Sequence, residues 1–271
     1  MTTSRNLMLH FQFCRGFSLV ELSIVLLIIG IMMSAGVKYL AVQAESSAYS
    51  ATNTKLSTIK VALSNYFRSY HRLPCPDTKP DGGNTGSFST TTPPDGIENR
   101  DSANATPDTS VACDDAFGIV PYQTLGLSRD ISLDGWENFI SYRVYYPSSG
   151  QSNDWTISAN FAADNVGAIT ILDRYPPNSS STTSISSKAV FVLISHGKNG
   201  LGAYTIAGTR NSLPDNTTDE YSNTSSSGSN FKREISIDTS NTTYGTFDDL
   251  LAFSTADDLL GPLFSEGSIE P

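Results

Sequence analysis

A single acidic side chain within an apolar segment near the amino terminus is the strongest chemical signal in this sequence. The letters GFSLVE at 16–21 lead into an apolar run, and Glu21 is the only ionisable residue from Phe17 to Val37. The run has 21 residues, close to the roughly 20 that a helix needs to cross a bilayer. A charged side chain within such a helix costs on the order of 2.5–3.5 kcal/mol, so the pattern predicts an oppositely charged partner for Glu21.

The sequence around this acid, CRGFSLVELSIVLLIIG, resembles the amino-terminal signature of type IV prepilins and type II secretion pseudopilins. The resemblance implies that a prepilin peptidase cuts after Gly16 and that the new first residue, Phe17, becomes N-methylated. It also implies that Glu21 pairs with the terminal amine of a neighbouring subunit. The alternative is a plain membrane anchor in which the Gly-Phe-x-x-x-Glu spacing is accidental.

The order of cleavage site and apolar run differs from that of an ordinary secretory signal, whose apolar core precedes the cut and is removed. Here the candidate cut precedes the run, so residues 17–37 are predicted to stay in the mature protein as a transmembrane segment. The predicted leader, 1–16, contains Arg5 and Arg15 and no acid. Positive charge before a span favours a cytoplasmic leader. We therefore expect a single-pass protein whose carboxyl side is translocated. The prepilin resemblance implies that it lies in the inner membrane with a periplasmic head and later enters a pilus or a periplasmic filament.

The apolar run continues into a polar segment with helical periodicity, without proline or glycine from Val37 to Leu73. Large apolar residues recur there at three- and four-residue steps, which indicates an amphipathic helix with one face on a core. These residues are Leu56, Ile59, Leu63, Tyr66, Phe67 and Tyr70. Pro74 disfavours a helical conformation at the residue before it. We predict one long helix at 17–72, first transmembrane and then amphipathic.

Residues 73–271 are predicted to form an extracytoplasmic globular head. Its first part, the loop 74–115, is rich in the small and polar residues that favour turns. Later segments rich in Val, Ile, Tyr and Phe predict strands. They are Phe117–Tyr122, Phe139–Tyr146, Trp155–Asn160, Ala168–Leu172, Ala189–Ser195, Tyr204–Ala207 and the less regular Lys232–Ile237. The serine- and threonine-rich stretches 178–187 and 216–230 are predicted loops. The pattern predicts an α+β, pilin-like fold, with the long helix packed on an antiparallel sheet.

The cysteines indicate how the head is stabilised. Cys14 falls in the predicted leader, so Cys75 and Cys113 are the two that stay in the mature chain. Paired cysteines form disulfides in an oxidising compartment such as the periplasm, and we predict a Cys75–Cys113 disulfide. Two free thiols are the alternative. A metal site at this pair is disfavoured because the three histidines are scattered along the chain.

The loop between these cysteines is rich in oxygen ligands, including Asp77, Asp81, Asp95 and Glu98. Calcium takes about six to eight oxygen ligands, and some pseudopilins bind calcium in the head, so these four acids are candidate calcium ligands. Their spacing does not match an EF-hand loop. The alternative is that Asp, Asn and Gly form turns here. We expect no other cofactor.

The pair Ser195-His196 could in principle supply a nucleophile and a base. Adjacent residues in a strand point to opposite faces, so they seldom form such a pair. Gly197 and Gly200 provide the backbone freedom of a tight connection. We therefore predict a structural hairpin at this position.

The chain is acidic, with a formal net charge of −10. This balance argues against direct nucleic-acid binding, which depends on neutralising phosphates. Nothing in the sequence brings two acids of the head to a catalytic separation, so a solvated acidic face is predicted. The acids concerned are Asp114, Asp115, Asp134, Asp248, Asp249, Asp257 and Asp258.

Several head segments also resemble a group of large minor prepilin-like proteins. They are RLPCPD at 72–77, PYQTLGL at 121–127, DGWENFISYRV at 134–144, VLISHGKNGLGA at 192–203 and FDDLLAF at 247–253. The resemblance implies a minor pilin or pseudopilin, a structural subunit of a type IV pilus or type II secretion filament, and no enzymatic activity. Its expected partners are other pilin or pseudopilin subunits, prepilin peptidase and the inner-membrane assembly platform. The alternative is a membrane-anchored periplasmic enzyme or binding protein that uses a prepilin-like anchor.

Overall fold

The computed structural model describes nine stretches of the chain. They are residues 18–79, 88, 92–100, 113–145, 155–156, 167–175, 179–224, 230–234 and 245–265, with only the backbone of 34–38. The chain forms two compact units, Met1–Ser46 and Ser47–Pro271. Most of the strand predicted at 155–160 and the end of the one at 232–237 lie outside the described residues.

Helix α1, Leu19–Tyr70, is the long amino-terminal helix that the sequence predicts. It ends at His71, which adopts a left-handed φ of 51°, three residues before Pro74. In the first unit, the described large apolar side chains between Leu19 and Met33 are exposed. Within the described part of the chain, no helix is both long and apolar enough to traverse a membrane. The transmembrane assignment of 17–37 therefore stays a prediction.

In the second unit, one face of α1 lies in the main hydrophobic core. Leu56, Ile59, Leu63 and Phe67 are almost completely buried and belong to the same core cluster as strand residues of the sheet. The predicted stripe is thus confirmed over three turns. It is wrong at its end, because Tyr70 is 56 % exposed and stacks on the half-buried Tyr66 instead of entering the core.

The head contains a mostly antiparallel six-stranded sheet. Its strands are β1 Phe117–Ile119, β3 Ser141–Val144, β4 Ile169–Asp173, β5 Thr183–Ser195, β7 Asn230–Lys232 and β8 Leu250–Thr255. They lie in the order β1-β3-β5-β4-β7, with β8 also on β5, and β4–β7 is the parallel pair. This sheet and α1 confirm the predicted α+β class.

Strand β5 is the central strand and is longer than predicted. Thr183–Ser187 fall in the predicted loop 178–187, but this stretch pairs with β4. Strand β8 lies along the opposite edge of β5 only from Ala189 onward. The loop prediction was wrong because backbone pairing with β4, together with β-branched Thr183 and Ile185, outweighs the serine-rich composition.

The connection after β5 differs from the predicted hairpin. It turns through Gly197, Gly200 and Gly202, all with positive φ. Strand β6, Tyr204–Thr205, then pairs with β2, Asn138–Phe139, and not with β5. The chain continues to the short helix α2, Asp219–Ser222, within a predicted loop, and ends in β8 and helix α3, Ala256–Ser265. The sequence analysis predicted none of these last three elements.

Candidate functional site

Glu21 lies in the first turn of α1, and its side chain forms a hydrogen bond at the start of the helix. Its Oε2 accepts a hydrogen bond from the Ser18 amide at 2.9 Å, and Ser18 Oγ accepts one from the Val20 amide at 3.2 Å. A carboxylate is favoured here because the first amides of a helix carry partial positive charge. Gly16 and Phe17 lie outside the described residues. Phe17 is the predicted mature amino terminus, and Ser18 directly follows it. Glu21 therefore binds the amide next to that terminus.

The Cys75–Cys113 disulfide predicted from the sequence is present. It joins chain positions 38 residues apart, and both cysteines are buried in the main core cluster. The Cys75 amide donates to Glu98 Oε2 at 3.0 Å. The backbone of Arg100 pairs with that of Cys113 in a single antiparallel β-bridge. The disulfide therefore fixes the loop against the end of α1.

Glu98, a candidate calcium ligand, is bound by two arginines. Arg72 donates to both of its oxygens, at 2.7 and 2.9 Å, and Arg100 Nη2 lies 3.2 Å from Oε2. Burial acts to raise the pKa of Glu98, but the hydrogen bond from Arg72 and the charge of Arg100 hold it below its ordinary value. These contacts give Glu98 a structural role as the counter-charge of a buried cation pair.

The other loop acids also make hydrogen bonds to the backbone. Asp77 is fully buried and accepts from the Gly96 amide at 2.7 Å, and Asp95 accepts from the Ile97 amide at 2.9 Å. Desolvation raises the pKa of Asp77 to about 8. Asp81 lies outside the described residues. Among the described residues, the acid cluster with metal-ligand geometry contains none of these positions. Calcium binding by the loop stays a prediction.

Ser195 and His196 have separate partners, as the alternation of a strand requires. Ser195 Oγ donates to Asp134 Oδ2 at 2.7 Å, whereas His196 Nε2 lies 3.0 Å from Ser141 Oγ on β3. Both residues are completely buried. Burial, with a smaller effect of the Arg210 charge, lowers the pKa of His196 to about 3, so its ring is neutral near pH 7.

A second acidic cluster lies beside His196. Carboxylate oxygens of Glu220 on α2 and of Asp248 and Asp249 just before β8 all lie within 4.8 Å of one another. Asp249 Oδ1 is 4.0 Å from His196 Nδ1. Burial, reinforced by the Asp248 charge, raises the pKa of Glu220 to about 7. Burial also raises the pKa of Asp248, and that of Asp249 well above its ordinary value.

The prediction of a solvated acidic face holds for Asp257 and Asp258, which are exposed, and is wrong for Asp134 and Asp249. Asp249 is 7 % exposed and Asp134 is 3 % exposed, because both carboxylates bind donors within the head. Sequence reasoning missed Glu220 completely, since it lies far from the aspartates along the chain. The consecutive acids Asp248-Asp249 directly before the apolar letters LLAF were the available signal, because residues at the start of a buried strand have little access to solvent.

The described fold is thus a long amino-terminal helix whose second part packs within an α+β head, with a carboxylate in the first turn of the helix. Residues 12–37 match the family described as Prokaryotic N-terminal methylation motif, the prepilin-type signature of type IV pilins and pseudopilins. The motif indicates a type IV pilin-like protein with a membrane-anchored amino terminus, processed by prepilin peptidase and assembled with other pilin subunits. No curated protein and no solved structure gave a significant match.

Proposed function

We propose that this chain is a minor pilin or pseudopilin, a structural subunit of a type IV pilus or a type II secretion filament without enzymatic activity. The observation that carries the proposal is the methylation motif at 12–37, which includes Glu21, the acid in the first turn of α1. The disulfide-stabilised head supports it, because paired cysteines suit a protein whose head is exported.

Processing and anchoring follow from the same segment. Cleavage after Gly16 would free the amine of Phe17, which prepilin peptidase would then methylate. Before assembly, residues 17–37 would hold the protein in the inner membrane, with the head on the periplasmic side. Assembly would transfer this segment into the filament core through the inner-membrane platform.

Glu21 has the decisive role in this assembly. Its carboxylate lies among apolar neighbours, and an unpaired charge in a protein core of low dielectric is costly. Within its own chain it accepts from the Ser18 amide, and a carboxylate has room for further donors. The free amine of a neighbouring subunit would supply the opposite charge, so pairing would favour insertion next to an existing subunit.

The test combines mass spectrometry of the mature amino terminus with an assembly assay. We expect the mature chain to begin at methylated Phe17 and to co-purify with sheared filaments. Glu21→Gln, which removes only the charge, should still reach the membrane but should not enter filaments. The matched control is Glu45→Gln, which removes an acid from the same helix outside the motif and should assemble normally. A mature chain that keeps residues 1–16, or normal assembly of Glu21→Gln, would contradict the proposal.

One observation favours the alternative of an anchored periplasmic enzyme. Ser141, His196 and Asp249 are arranged in the order of a hydrolytic triad, with Ser141 Oγ 3.0 Å from Nε2 and Asp249 4.0 Å from Nδ1. However, Ser141 and His196 have no exposed surface, so a substrate could not reach the hydroxyl. Hydrolysis of a generic ester or peptide that His196→Ala abolishes, in a variant that still unfolds cooperatively, would favour the enzyme.

A further inference from the structure

The acid cluster beside His196 is the strongest feature of the head that the proposed function leaves unexplained. Glu220, Asp248 and Asp249 place carboxylate oxygens within 4.8 Å of one another, a spacing that one cation could bridge after a small inward movement. Acids alone do not define a metal site, because aspartates and glutamates often cluster for other reasons. The decisive additional observation is the imidazole of His196.

His196 Nδ1 is completely buried and has no hydrogen-bond partner among the described residues. It lies 4.0 Å from Asp249 Oδ1, too far for a hydrogen bond but within the span of two metal–ligand bonds of about 2.1 Å each. His196 therefore borders the cluster at Asp249 and lies outside the group whose ligand atoms are all within 4.8 Å of one another. The other ring nitrogen, Nε2, lies 3.0 Å from Ser141 Oγ. A partner on one nitrogen of a histidine commonly orients the other toward a metal.

Hydrogen bonds from two asparagines also orient the three carboxylates. Asn199 Nδ2 donates to both Glu220 oxygens, at 3.0 and 3.1 Å, and the Asn199 amide donates to Asp248 Oδ2 at 2.8 Å. Asn223 Nδ2 donates to Asp249 Oδ2 at 2.7 Å. Asp248 Oδ1 is buried without a partner among the described residues. Neutral amide donors thus orient the acids and leave oxygen capacity for an ion.

The position of the cluster is also fixed by the fold. The neighbour of Glu220, Asp219, binds Arg174 beside β4, with Nε–Oδ2 at 2.6 Å, and this pair anchors α2. The aspartates precede β8 and His196 follows β5, two strands that pair directly. Three segments far apart in the chain therefore meet at the same point.

We propose that Glu220, Asp248 and Asp249, joined by His196 Nδ1 after a small movement of its ring toward the acids, form a binding site for a divalent transition-metal ion of the Zn²⁺ type. The ligand set of one imidazole nitrogen with carboxylate oxygens decides the class of ion. Imidazole nitrogen suits zinc and its neighbours in the first transition row, whereas calcium takes oxygen ligands. The bound ion would join α2 to the ends of β5 and β8 and would stabilise the head. The site does not depend on the proposed function, since it concerns only the head.

The test uses the purified full-length protein in detergent, stripped of metal with a chelator and then titrated with Zn²⁺ or Ca²⁺ in calorimetry. We expect one Zn²⁺ to bind per chain and to raise the melting temperature, with no comparable effect of Ca²⁺. Glu220→Gln and Asp249→Asn should each weaken Zn²⁺ binding, by about 10–100-fold or more. His71→Gln is the matched control for adventitious binding to a histidine outside the cluster, and it should bind as the wild type does.

Substitution at His196 risks misfolding, so the coordination geometry of the site is tested in the wild-type protein with Co²⁺. Visible absorption bands of a low-symmetry Co²⁺ site, displaced by one equivalent of Zn²⁺, are the expected result. Failure of the wild type to bind Zn²⁺, equal binding by the Glu220 and Asp249 variants, or a stronger response to Ca²⁺ would each overturn the proposal. Absence of a Zn²⁺-displaceable Co²⁺ spectrum would also overturn it.

Discussion

Arg72 and Glu98 form a buried two-point ion pair, with Nη2–Oε1 at 2.7 Å and Nη1–Oε2 at 2.9 Å. Arg72 lies two residues after the end of α1, and Glu98 belongs to the loop that the disulfide closes. Arg100 lies on the other side of the same carboxylate. One acid therefore connects the helix end to the loop and neutralises two buried cations in part.

Glu98→Gln should destabilise the head by about 3–5 kcal/mol, because it leaves buried guanidinium groups without their counter-charge. Urea unfolding of the purified protein measures this change. The control is Asp130→Asn, which removes the Lys55–Asp130 pair at 3.3 Å, where the Asp130 side chain is 78 % exposed. That change should cost about 1 kcal/mol or less. Equal costs for the two variants would contradict the role given to Glu98.

The same pair predicts a response to acid. The folded-state pKa of Glu98 lies below its ordinary value, so the folded protein binds fewer protons there than the unfolded chain does. This contribution to stability is complete above the unfolded pKa and is lost as the pH falls through the folded pKa. The difference in unfolding free energy between wild type and Glu98→Gln should therefore shrink on acidification below about pH 4.

Asp77 should have the opposite pH dependence. Burial raises its pKa to about 8, so between about pH 4 and pH 8 the folded state holds a proton that the unfolded chain has released. Its effect is to lower stability progressively as the pH rises through that range. Asp77→Asn, a neutral substitute of similar shape, should gain stability relative to the wild type from pH 4 to pH 8. Chemical unfolding at several pH values tests this, and parallel curves for the two proteins would contradict it.

The disulfide should contribute about 4 kcal/mol to the free energy of unfolding, because it closes a loop with a sequence separation of 38 in the unfolded chain. Cys75→Ser should lower the urea midpoint accordingly, and a reducing agent should have no further effect on this variant. Cys14→Ser provides the control, since Cys14 lies in the predicted leader. Unchanged stability of Cys75→Ser would show that the loop is held by its other contacts.

Ser195 should have a structural role. Its hydroxyl donates to Asp134 Oδ2 at 2.7 Å, and the amides of Trp136 and Asn138 bind the other oxygen of that carboxylate. Ser195→Ala should cost about 1–3 kcal/mol, because it leaves a buried acceptor with one partner fewer. Thermal unfolding measures the cost. Ser187→Ala, on the exposed half of β5, should be close to neutral.

The sequence analysis succeeded where one periodicity served both local structure and packing. Leu56, Ile59 and Leu63 repeat at helical spacing and are buried, so pattern and environment agree. It failed where pairing decided the outcome. Thr183–Lys188 have a loop-like composition but join β4, and Leu250–Thr255 gain their strand conformation from β5.

The candidate site shows the same limit. The motif around Glu21 could be identified from the sequence because its residues are adjacent along the chain. The grouping of His196, Glu220 and Asp249 depends on the arrangement of β5, α2 and β8, which no local pattern specifies. A contact between distant positions can be found only once the strand order is known.

The long strand β5 has a further consequence for the proposed assembly of this chain into a filament. Over Thr183–Lys188, no described strand pairs with it on the side where β8 lies from Ala189 onward. An unpaired strand edge exposes backbone N–H and C=O groups that can pair with a strand of a neighbouring molecule. This edge of β5 carries exposed serines and Lys188. If two copies met edge to edge, the serines would lose bound water and the two Lys188 side chains would repel each other. This edge would therefore resist strand pairing between heads held side by side in the proposed filament.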